Sequence, residues 1–223
     1  MASNINVAVP VFGKATTASV RQNFVHAKAE IEALQTGKLN ATAQDEINAL
    51  KLANVLRLGN INETVEVFQR CTTNDVGQVV QFNTQLFNSH TDVFEWDILN
   101  NEIVIKKAGW YSWMLSFHVV RKIGTGAVDW TLWAQTKEPP AGTFSNFPGS
   151  GRRLSLAADE ANGKAFQSLG FAVHTPVDNT RVRFMHACTD VTKDVGLISY
   201  PASGSYPSIA GVMLSIHQIN LEP

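Results

Sequence analysis

Six histidines, two cysteines and nineteen carboxylates are the residues of this chain that could do chemistry. His26, His90, His118, His174, His186 and His217 form no HxH or HxxxH pair, and neither Cys71 nor Cys188 belongs to a CxxC. The spacing of a metal site is therefore missing. His186 and Cys188 stand two apart, on one face of a predicted strand, which favours a satisfied core pair over a ligand pair. The stretch Asp190-Val191-Thr192-Lys193-Asp194 brings two carboxylates into a predicted loop. It lacks the dense Asp/Asn/Gly pattern of a calcium loop and reads as a polar connection. Gly124-Thr125-Gly126 and Gly149-Ser150-Gly151 fall between predicted strands, where glycine serves turns and not phosphate cradles. No pair of carboxylates is singled out for glycoside chemistry. Trp110, Trp130 and Trp133 could line a sugar site, but at strand spacing they read as core or subunit contact. The expectation is a protein that is not an enzyme and carries no cofactor and no metal.

The elements that would position these residues change character near residue 60. Up to that point the chain is Ala-rich and reads as helix. Val20, Phe24, Ala27, Ile31 and Leu34 recur at steps of four, three, four and three, which places them on one stripe. Thr16 or Thr17 can cap the start and Gly37 the end. A second helical segment is predicted from Thr42 to Gly59, through Ile47, Leu50, Val55 and Leu56. Two heptads are too few for an independent coiled coil, since three or four are normally needed. Two readings are open: a helical hairpin packed on its own domain, or a bundle between subunits or an arm laid on a larger assembly. The first fifteen residues, with Pro10 and Gly13, suit an extended arm.

Beyond Gly59 the apolar period becomes two. Val80, Phe82, Thr84 and Leu86 alternate with polar residues, as do Ile103 and Ile105 after the turn-like Asn100-Asn101. Tyr111, Trp113, Leu115, Phe117 and Val119 form a longer inward row. Their even-numbered neighbours Trp110, Met114 and Val120 make a candidate subunit interface, because the odd face already fills a core. Trp130, Leu132 and Ala134; Leu169, Phe171 and Val173; Val182, Phe184, His186 and Cys188; and Val212, Leu214 and Ile216 continue the pattern. Turn-rich segments such as Pro139-Pro140 and Tyr200-Pro201-Ala202-Ser203-Gly204 separate them. The fold class is thus mainly β, an antiparallel jelly-roll sandwich over residues 61–223, preceded by an arm and short α-helical segment over 1–60.

Bulk composition limits the partners. The net charge is −1 and the longest cationic runs are pairs, so nucleic acid and anionic lipid are not expected partners. Charged residues make up 17%, below the roughly 25% of ordinary globular chains. That shortfall suggests a surface partly covered by partners. The N-terminal MASNINVAVPVFGKATTAS does not read as a secretory signal, and no stretch approaches the ~18 apolar residues of a membrane helix. Synthesis in the cytoplasm is expected. The wide separation of Cys71 and Cys188 favours two buried thiols over one disulfide.

Two segments resemble known families. Lys107-Ala108-Gly109-Trp110-Tyr111-Ser112-Trp113, followed by Leu115-Ser116-Phe117-His118-Val119, is similar to the Gly-x-Tyr-x-Phe strand of the C1q/TNF-like jelly roll. Asn101-Glu102-Ile103-Val104-Ile105 matches the short strand before it, and Ile209-Ala210-Gly211-Val212-Met213-Leu214 the closing strand. The match spans roughly residues 77 to 219. Separately, the stretch from Ala15 to Gln35, with Arg21-Gln22-Asn23-Phe24 and Glu30-Ile31-Glu32-Ala33-Leu34, resembles the start of many tailed-bacteriophage virion proteins. The pairing implies a homotrimeric capsid cement or decoration protein of the virion, gripping the major capsid protein or other virion proteins through its arm and helix. The alternative it implies is a tail fibre or adaptor whose jelly-roll tip binds a host surface glycan or receptor.

Overall fold

The computed structural model describes residues 17–51, 54–140, 142–157 and 163–221. The chain divides into two compact units between Lys51 and Leu52. The described residues of the first form one helix, α1 (Thr17–Lys51). It runs through Gly37 without the break expected there. Glycine costs a helix only about 1 kcal/mol, and the good formers around it keep the ladder intact. The extended arm expected over the first fifteen residues lies outside the described residues.

The second unit is a β-sandwich of two antiparallel sheets. One sheet holds β1 (Val55–Asn60), β2 (Val67–Arg70), β4 (Thr84–Asn88), β7 (Gly109–Arg121), β11 (Lys164–Thr175), β13 (Val195–Ser199) and β14 (Val212–Leu221). The other holds β3 (Gln78–Val79), β5 (Phe94–Asp97), β6 (Glu102–Ile105), β8 (Val128–Lys137), β9 (Ser145–Asn146), β10 (Arg152–Leu156) and β12 (Thr180–Cys188). In the first sheet β7 pairs along one edge with β11 and along the other with β14 and then β13. Gly109 opens β7 at φ 148°, a conformation L side chains rarely adopt, which accounts for a glycine before the aromatic row. Gly196 in β13 is fixed differently: a Cβ there would collide with the backbone carbonyl of Gln69 on β2.

Strand period two puts Tyr111, Trp113, Leu115, Phe117 and Val119 into the space between the sheets, each essentially inaccessible. They meet Trp130, Leu132, Val182 and Phe184 from the facing sheet, with Trp113 and Phe184 rings 5.8 Å apart and Phe117 and Trp130 5.2 Å apart. His186 and Cys188 lie in this core, as their phase predicts. The Trp130 indole Nε1–H donates to His186 Nδ1 at 3.3 Å, and Cys71 Sγ lies 3.6 Å from the same nitrogen. Both cysteines are buried free thiols. A hydrogen bond that the Cys71 S–H donates to Cys188, reinforced by burial, pushes the Cys71 thiol up from its ordinary value.

Two sequence expectations are corrected by this topology. Val55, Leu56 and Gly59 belong to a strand and not to a second helix. β1 lies between β14 and β4, with Val55 opposite His217 and Asn60 opposite Val212. The boundary at residue 60 therefore cuts through the sandwich, and the helical segment ends before it. The single strand expected through Val80, Phe82, Thr84 and Leu86 is split between the sheets. β3 pairs with β12 and β4 with β1, while residues 80–83 cross the sandwich edge. Hydrogen bonds from Phe82 N to Asn101 Oδ1 and from Asn83 N to Gly59 O hold that crossing.

Removal of residues 1–51 is expected to leave a cooperatively melting sandwich, whereas removal of residues 1–60 takes β1 from the interior of its sheet and abolishes folding. Circular dichroism melts of the two truncations check this. Stability should also depend on pH through His186. Burial lowers its pKa from 6.5 to about 4, so between those values the unfolded chain binds a proton that the folded chain refuses. Its contribution is complete above pH 6.5 and is lost as pH falls toward 4, on the order of 3 kcal/mol in all. His186→Gln, which keeps an acceptor for Trp130, should flatten the denaturant midpoint against pH over that window.

Candidate assembly surface

The residues of β7 that alternate with its buried row point away from the sandwich. Trp110 is 46% and Met114 61% exposed, as the even-numbered phase predicts. Register carries the same surface across the neighbouring strands. Opposite Trp110, Ser112, Met114, Ser116 and His118 stand His174, Ala172, Gly170, Ser168 and Phe166 of β11. On the other side stand His217, Ser215 and Met213 of β14, and beyond them Val55, Arg57 and Gly59 of β1. Arg57 is the one permanently charged side chain in this block of register partners.

Among the rest, serine and histidine side chains are interleaved with the large exposed apolar groups of Trp110, Met114, Phe166 and Met213. Phe166 is 60% exposed, with its ring 4.7 Å from that of His118. Trp110 lies against the His174 ring at 4.9 Å. At the β1–β4 end, Val55, Arg57, Leu86, Phe87 and Met213 line a mostly apolar recess of about 490 Å³. The outer face of the second sheet is built oppositely. It carries Arg153 with Asp129, Lys106 with Glu95 at 2.8 Å, and Arg181 between Asp97 and Glu102 at 3.2 and 2.7 Å. The second sheet thus carries ion pairs on its outer face, whereas across β11, β7, β14 and β1 the first sheet presents aromatic, thioether, imidazole and hydroxyl groups, its own ion pairs Arg70–Asp194 and Lys122–Glu66 lying toward the β2 edge. Large exposed apolar side chains grouped in this way make the face a candidate interaction surface.

Val120 is a correction to the predicted interface. It is 2% exposed, although it shares the outward phase of Trp110 and Met114. Its register partner on β11, Lys164, reaches to within 5.0 Å of the Tyr200 ring on the β13 side, so the chain itself covers that end of the strand. Phe166, Met213, Phe87 and Arg57 join the surface without having been singled out in the sequence. Their proximity follows from strand register, which no local pattern reports.

The helical stripe is also open in the single chain. Phe24, Ile31 and Leu34 are 70%, 54% and 73% exposed, while Val20 and Ala27 are half-buried. The stripe and the sheet face belong to separate units and are two distinct apolar surfaces. Trp130, by contrast, is core, and the partly covered Trp133 donates its Nε1–H to Asn146 Oδ1 at 2.9 Å. The Asp190–Asp194 loop is a short 3₁₀ turn closed on itself. Asp190 accepts from Thr192 N and Oγ1, which hold its carboxyl below the usual range, and Asp194 pairs with Arg70 at 2.6 Å. Among the described residues no three His, Cys, Asp or Glu side chains converge to hold a metal.

No protein-family model matches this chain, and no curated protein is detectably similar to it.

The two outward-phase positions should respond differently to charge. Met114→Asp is expected to shift folding stability by no more than about 0.5 kcal/mol, whereas Val120→Asp buries a carboxylate and should cost about 3 kcal/mol or more. Urea titration of both variants, with the chain dilute enough to be monomeric, checks the difference.

Proposed function

We propose that this chain is a structural protein of a tailed-bacteriophage virion, a trimeric cement or decoration protein that binds and stabilises the capsid shell. The observation that carries the proposal is the contrast between the two outer sheet faces. A face kept nearly free of charge across β11, β7, β14 and β1, on a sandwich whose opposite face is laced with ion pairs, is suited to burial against other copies of itself. Its two ends are complementary. Trp110 and Phe166 project at the β7–β11 end, and the recess beside Arg57 and Phe87 opens at the β1–β4 end. A projection at one end and a hollow at the other favour a head-to-tail contact, which closes into a trimeric ring when each copy is turned by a third of a full rotation.

The resemblance to the C1q/TNF-like jelly roll gains support from the topology. The Gly109–Val119 strand is interior to its sheet, and the closing strand that also carried the resemblance lies beside it, with Leu214 opposite Leu115. The exposed stripe of Phe24, Ile31 and Leu34 supplies the second surface, for the shell. Three such helices tied to one trimer bind with an effective concentration that a single weak contact lacks.

Sedimentation equilibrium at micromolar concentration is expected to give a trimer for the native chain and a monomer for Met114→Asp. Phe24→Asp should leave the trimer intact and abolish binding to capsids. Virions labelled through the C-terminal region should show label over the whole shell. Label confined to the tail would assign the chain to a fibre or adaptor, and a stable native monomer would defeat the trimer.

A further inference from the structure

The outer face of the second sheet carries a recess of about 450 Å³, the size of a small-ligand site, lined by five polar or charged residues and two prolines. Lys137, the last residue of β8, stands directly opposite Arg181 of β12. Like charges in opposed positions repel, so the sheet must compensate them. Arg181 is compensated: its Nη1 donates to both Glu102 and Asp97. Hydrogen bonds from Asn100, and then from Arg181, hold the Asp97 carboxyl below the usual range.

Lys137 is not compensated in this way. Among the described residues it forms no ion pair, and its ammonium lies 5.4 Å from the centre of the Phe144 ring. Arg183 covers the same ring at 3.9 Å and gives its Nε–H to the neutral amide of Gln135. The lining therefore holds Lys137 together with the compensated Arg181 and a buried carboxylate, Glu102. Pro139 and Pro140 add ring methylenes, and Asn179, held at φ 62°, adds an amide that makes no side-chain hydrogen bond within the described residues.

This combination selects among ligand chemistries. A polyphosphate would meet Lys137 but be repelled by Glu102 and Asp97, and no run of backbone amides cradles it. A neutral sugar would leave the lysine without an anionic partner. A polyol bearing one carboxylate satisfies both requirements, with its charge on Lys137, its hydroxyls donating to Glu102 and accepting from Asn179, and its ring carbons on the prolines. We infer that this recess binds a saccharide carrying a single carboxylate, of the uronic or sialic acid type. The site lies on the opposite sheet from the proposed assembly face and does not depend on it.

The test is a titration of the full chain, followed by NMR or calorimetry, with glucuronate, glucose and inorganic phosphate as separate probes. Glucuronate is expected to bind saturably and at least about tenfold more tightly than either of the others. Lys137→Gln should weaken glucuronate binding about tenfold with an unchanged melting temperature, and Lys137→Arg should retain it. Equal binding of glucose, equal binding of phosphate, no saturable binding of glucuronate, or undiminished binding to Lys137→Gln would each overturn the inference. None of these results bears on whether the chain is a trimer, which sedimentation reads independently.

Discussion

The alternation of side chains along β7 is the constraint on which the sandwich rests. One strand of thirteen residues supplies Tyr111, Trp113, Leu115, Phe117 and Val119 to the core and Trp110 and Met114 to the outside. A slip of one residue would exchange the two sets and turn the aromatic core into surface. The neighbours of β7 fix its register on both edges, through ladders to β11, β14 and β13. The core and the candidate assembly face are two consequences of the same geometry.

Much of this was legible because period two is a local property. The inward rows of β7, β8 and β12 can be read without knowing their partners, and Trp113, Trp130 and Phe184 occupy the core as their phases require. What could not be read locally depends on contacts between distant segments. Val120 has the outward phase, yet Lys164 and Tyr200 close over it from strands on either side. Val55 to Gly59 followed an Ala-rich helical region closely enough to pass for its continuation, and only pairing with β14 makes it a strand. The split at residues 80–83 is similar. Val80 and Phe82 are buried as a strand pattern demands, but the segment passes from one sheet to the other and ends as two short strands.

The candidate surface shows the same division. Trp110 and Met114 follow from alternation, whereas Phe166, Met213 and Phe87 reach that face through registers linking residues far apart in sequence. The low overall charge hinted at a covered surface, but composition gives no position. The structure shows that the shortage is uneven. Ion pairs lie across the second sheet, where Arg181 and Arg153 each find carboxylates, whereas on the first sheet Arg70–Asp194 and Lys122–Glu66 lie toward the β2 edge, away from β11, β14 and β1.

The pairing of β1 with β14 sets an order of events. Val55 finds its partner at His217, and Leu58 finds its partner at Leu214. During synthesis β1 emerges early and must wait, unpaired on that edge, until nearly all of the sandwich has left the ribosome. The helix before it has only local hydrogen bonds to make and can form at once. Contacts of such long sequence separation make closure slow. They also act as a filter on incomplete chains. A product ending before residue 212 lacks the strand that joins β1 to β7, and lacks Met213, Ser215 and His217 of the outer face. A chain without a finished sandwich therefore lacks both the complete core and the complete outer face of the first sheet.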